Sequence, residues 1–152
     1  MTLSPFLHVL SVVVWVGGMF FAYMALRPVA AGVLEPPQRL TLWAGVFGKF
    51  FPWVWVSVAL ILATGLHMLA AFGGVAAPLY ALAMLVLGVG MMLIFAHVFF
   101  APYKKLRRAV AAQDWKAGGA ALAQIRMLIG INLSLGLLTI AVVFLGRALA
   151  LN

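Results

Sequence analysis

A chain of 152 residues that is 67% hydrophobic and 8% charged, with a mean hydropathy of +1.21, has too little polar material to cover a water-facing surface. That excludes a soluble globular domain and points to a lipid bilayer, where unpaired backbone groups are intolerable and the apolar runs must be helices. The net charge of +8 is gathered in clusters between those runs, so it reads as a topology signal, and nucleic acid is not expected as a partner.

The opening MTLSPFLHVL carries no positive stretch, and no small-residue cleavage site follows it, so the first apolar run is expected to remain as a helix of the mature protein. Helix one is predicted over residues 3–26, ending at the Arg27-Pro28 pair. A loop with Glu35, Pro36, Pro37 and Arg39 follows. Residues 40–51, which include Lys49, are semi-polar and either lie at the interface or extend helix two, residues 52–71, which Pro52 opens or kinks. Gly73-Gly74 makes an uncharged turn, and helix three, residues 78–100, ends against Pro102, Tyr103, Lys104, Lys105, Arg107 and Arg108. Asp114 is the candidate N-cap of the last helix, residues 117–149, which leaves the membrane near Arg147.

Arg27, Arg39 and Lys49 fall in the first loop, no cation falls in the second, and Lys104, Lys105, Arg107, Arg108 and Lys116 fall in the third. The positive-inside rule then predicts loops 27–51 and 101–118 in the cytoplasm and both termini outside. The expected architecture is an all-α integral membrane protein, one up-down four-helix bundle over residues 1–152, N-out and C-out, with helices two and three as antiparallel neighbours.

A histidine within a bilayer is costly, which makes His8, His67 and His97 functional candidates. His8 and His67 fall about equally far from the outer ends of helices one and two, so they share a membrane level. Two imidazoles on antiparallel helices at one depth have the geometry of axial ligands to a haem b iron. Val12, Trp15, Met19 and the Gly17-Gly18 step would wall that haem on helix one, with Thr64, Leu60 and Trp53 on helix two and Arg147 for the propionates. His97 lies near the cytoplasmic end of helix three, and with Asn132 and Arg126 it forms a possible second site. A membrane histidine can instead bond a carbonyl or hydroxyl on the next helix, and the Asn132, Gly136, Thr139 stripe can be a packing face.

Copper is the alternative cargo. With no Cys in the chain, the available soft donors are Met19, Met24, Met68, Met84, Met91 and Met92, with the histidines beside them. Met also fills gaps in apolar cores, so a thioether stripe alone does not decide the matter.

The first helix, with Leu7-His8-Val9-Leu10, then Trp15-Val16-Gly17-Gly18, then Leu26-Arg27-Pro28, resembles that of the copper-resistance protein D (CopD) group. It is more distantly similar to the HemJ-type protoporphyrinogen oxidases. Thr64-Gly65-Leu66-His67, His97 and Asn132 resemble the same group. The resemblance implies a small four-helix bundle of a bacterial inner membrane, binding b-type haem in one branch and serving copper uptake or tolerance in the other. His8 matches the group's first-helix histidine. No Lys lies within helix three, and helix four lacks the acidic and Pro residues of the HemJ pattern, which argues against protoporphyrinogen oxidation. The expectation is therefore a haem-binding membrane protein moving electrons, a haem-dependent oxidoreductase if it is an enzyme. The alternatives are a copper-handling protein and a non-catalytic subunit of a membrane complex. The lipid bilayer, a second copy of the chain or a membrane redox partner are the expected partners.

Overall fold

The computed structural model describes residues 3–150. The chain forms α1 (Leu3–Phe21), α2 (Arg27–Val33), α3 (Pro36–Ala71), α4 (Leu79–Phe100), α5 (Pro102–Ala111) and α6 (Trp115–Ala150). A π-helical turn, Ala22–Leu26, joins α1 to α2, and a 3-10 turn, Gly74–Ala76, lies between α3 and α4. Taken as continuous rods, Leu3–Val33, Pro36–Ala71, Leu79–Ala111 and Trp115–Leu149 are four helices long and apolar enough to cross a bilayer. The chain is thus an all-α, multi-pass membrane protein of four spans, as its composition requires.

Pro28 does not end the first helix. An α-helix meeting a proline loses one N–H and drives the ring against the carbonyl four residues back. Here the turn before it widens, with the Arg27 N–H reaching the Ala22 carbonyl. The extra residue lets the helix pass the proline rather than break at Leu26 as predicted. The rod continues to Val33 and stops where Leu34 becomes extended, at φ −112° and ψ 136°.

Residues 40–51 are likewise no separate interfacial segment, because α3 runs unbroken from Pro36 with Pro52 in its interior. Its buried residues Leu40, Trp43, Phe47, Phe51, Val54, Ser57 and Thr64 form one stripe that passes the proline without a shift. One lost backbone bond costs less than breaking that stripe in lipid would. At 36 residues each, α3 and α6 are about 54 Å long, well beyond a hydrocarbon core of about 30 Å. Their surplus carries the cations, so the bundle continues past the lipid at its basic end.

The predicted basic loop after helix three also contains a helix. In α5 the residues Pro102, Tyr103, Leu106 and Ala109 are buried, whereas Lys104, Lys105, Arg107 and Arg108 are exposed, an amphipathic pattern at helical spacing. Its inner face lies along the start of α6, where a Cβ at Gly118 would meet Ala109 at 3.5 Å and Leu40 at 3.1 Å. Asp114 caps α6 as expected, its Oδ1 accepting the Ala117 N–H at 3.1 Å.

The most extensive backbone packing is between α1 and α3 and between α4 and α6, followed by α5 against α6. The expected neighbours α3 and α4 meet chiefly through rings that hold their backbones apart. Trp55 lies 5.0 Å from Phe95 and 5.5 Å from Phe99, and Phe51 lies 5.4 Å from Phe95, all centroid to centroid. The same cluster reaches α5 through Tyr103, 4.9 Å from Phe51.

Candidate functional site

His8 stands five residues into α1, about 8 Å from its start, on the side facing α3. Its Nδ1 lies 2.9 Å from Thr64 Oγ1. Thr64 is 8% exposed, and its hydroxyl also lies within bonding distance of the Leu60 carbonyl. A carbonyl only accepts, so the single hydroxyl hydrogen goes to Leu60 and Oγ1 can only accept from the ring. With Nδ1 as the protonated nitrogen donating to Thr64, Nε2 would be the ring nitrogen open to a ligand. Gly65 makes the close approach possible, since a Cβ there would come 3.3 Å from His8 Cε1. One turn further along α1, Ser11 is buried and donates its hydroxyl to the Leu7 carbonyl at 2.8 Å.

His67 follows Thr64 by three residues and is exposed on α3. Both histidines belong to one helix pair, but only His8 is built into the interface. Among the described residues no side-chain hydrogen bond involves His67 or His97, and His97 is exposed on α4. Trp15 and Met19 are buried on the stripe of His8. Gly18 leaves room for the Phe50 ring, with which a Cβ would collide. Trp53, expected to line a haem beside His67, is 64% exposed and faces outward. Arg147 is exposed near the end of α6, next to Gly146, which packs against Tyr80.

The three residues of the possible second site have different surroundings. His97 is exposed, whereas Asn132 is buried at 3% exposure with an Oδ1 that has no hydrogen-bond partner. Asn132 borders a cavity of about 20 Å³ with Trp15, Met19 and Val98, enough space for one water molecule. Arg126 lines a separate cavity of about 620 Å³ with Arg27 and Arg39. The sequence reading missed that grouping. Its signal was three arginines, each placed where an apolar helix reaches the basic end of the bundle.

Among the described residues no three His, Asp or Glu side chains come together as a metal group. A metal at this end would rest on imidazole nitrogen supplemented by thioether sulfur. Met68 suits that role by position, partly buried and one turn beyond Thr64 on the same face of α3. The fit to haem is weaker: Nε2 of His8 suits an axial ligand, but its ring is packed against Gly65, and neither cavity is lined by His8 or His67.

The sequence model of one protein family, described as copper resistance protein D, matches residues 44–145. The matched stretch includes Thr64, His67, His97, Arg126 and Asn132 and begins after His8. No curated protein and no solved structure matches the chain.

Proposed function

Since the chain belongs to the copper-resistance protein D family, we propose that it handles copper in a bacterial inner membrane, taking the ion as cargo near the end that carries both termini. The observation that supports a metal station there is the 2.9 Å contact of His8 Nδ1 with Thr64 Oγ1, which holds the ring through that nitrogen and in this reading leaves Nε2 for the ion. A hydrogen bond of this kind to the far ring nitrogen fixes ring orientation and makes the other nitrogen a better donor. Met68 supplies a soft partner one turn along α3, which favours Cu(I) over harder ions. In this reading the basic end lies in the cytoplasm by the positive-inside rule, so His8 stands close to the outer face, where extracytoplasmic copper arrives.

Haem ligation would use the same Nε2, and one measurement separates the readings. The purified chain in detergent is loaded with Cu(I) under reductant and titrated with a chromogenic Cu(I) chelator, after an absorption spectrum of the untreated protein. Copper handling predicts a protein without a Soret band that holds one Cu(I), with retention weakened about tenfold or more in His8→Ala and less in His67→Ala. A red protein whose Soret band disappears in both variants replaces copper by haem. A chain that holds neither acts as a subunit of a larger membrane complex.

A further inference from the structure

The cavity at the basic end lies between the π turn and the start of α3 on one side and the first half of α6 on the other. Arg27, Arg39 and Arg126 line it, no acidic side chain does, and Trp43 and Phe47 form part of its wall. Two of the guanidinium groups have a protein neighbour. Arg27 lies over the Tyr23 ring at 4.7 Å from its centroid, and Arg39 donates from Nη1 to the Ala31 carbonyl at 3.5 Å. Tyr23 is itself set by α6, since a Cβ at Gly130 would come within 3.1 Å of its ring. The widening of the helix around Pro28 therefore does more than pass a proline, because Tyr23 and Arg27 line the cavity from that segment.

Three guanidinium groups at one cavity repel one another unless an anion sits among them. The chain itself has only Glu35 and Asp114 as acids, and neither lines the space. The rest of the wall is mostly apolar, and Met24, which borders the cavity, is 57% exposed on the outside of the bundle. A soluble anion would satisfy the arginines and leave that greasy wall uncovered. We propose that the cavity binds an anionic phospholipid of the leaflet on the basic side. Its phosphate is held by Arg27, Arg39 and Arg126, and an acyl chain runs along Met24, Leu122 and Ile129.

The test is native mass spectrometry of the full chain released from detergent, titrated with phosphatidylglycerol and, separately, with phosphatidylcholine of the same acyl chains. Phosphatidylglycerol adducts should form at about tenfold lower lipid concentration, and the Arg39→Gln/Arg126→Gln double variant should lose that preference. Lys104→Gln/Lys105→Gln removes the same charge from exposed positions outside the cavity and should keep it. Gly119→Leu is an independent check, because a Cβ there meets nothing within 4 Å, so the side chain can fill the space without a clash. It too should abolish the preference. Equal binding of the two lipids overturns the proposal, as does equal loss in the lysine and arginine variants. Displacement of the lipid by inorganic phosphate would also overturn it, by identifying a free anion as the occupant. His8→Ala should leave the lipid preference unchanged, so this result does not depend on the copper reading.

Discussion

At the end of the bundle that carries the termini, α1 and α3 meet through a hydrogen-bonded pair, His8 and Thr64, over the bare backbone of Gly65. At the other end α3, α4 and α5 meet through stacked and edge-on rings, with Phe51 touching Phe47, Phe95, Phe99 and Tyr103. The first contact is directional and weak in area, whereas the second is large, apolar and tolerant of small rotations. The proposed copper station uses the first kind of packing, because one hydrogen bond can orient a ligand without filling the space around it. The second kind holds the helices together so that the first can remain sparse.

That division predicts very different costs for comparable truncations. Phe51→Ala should have the largest effect, about 3–5 kcal/mol of stability, read as a lowered unfolding midpoint in detergent. A loss under about 1 kcal/mol would mean that the aromatic end is not what holds the spans together. Thr64→Val should leave the fold nearly intact and weaken Cu(I) retention about tenfold, with Thr64→Ser restoring it, because only a hydroxyl can fix the His8 ring. Unchanged retention in Thr64→Val would remove the orienting role assigned to that bond. The smallest effect is expected for Asp114→Ala, which deletes the cap of α6 and should cost about 1 kcal/mol, with faster amide exchange confined to the first turn.

The four spans were legible because composition alone forces them, and Asp114 was legible because a cap is a local device. Pro28 was misread as a stop, whereas Pro52, expected to open or kink helix two, lies inside it. Rules learned from water treat a proline such as Pro28 as the end of a helix, but in lipid a broken helix exposes backbone that nothing can satisfy, so the chain widens and carries on instead. In α5 the charges drew attention away from the spacing of Tyr103, Leu106 and Ala109, which is the signal of a half-buried helix. His8 could be singled out from the sequence, but its partner could not. Thr64 and His67 are three residues apart on a helix that is apolar on nearly every side, so hydropathy does not say which of them turns toward α1. Only the rotation of α3, set by the stripe from Leu40 to Val54 at its far end, decides that it is Thr64. The arginine cavity was only half legible: the three arginines could be placed at the basic end, but not gathered at one cavity, since Arg126 reaches Arg27 and Arg39 only through the packing of α6.

With its Nδ1 proton given to Thr64, the imidazole of His8 would present a nitrogen with no proton to give up. A monovalent cation settling on it would bring its whole charge into the low-dielectric interior with nothing released in exchange. Loading from one face and discharge at the other would then be sensitive to voltage, at about 2.3 kcal/mol for each unit charge carried across 100 mV. A bilayer negative on the basic side would draw such an ion inward without any chemical fuel.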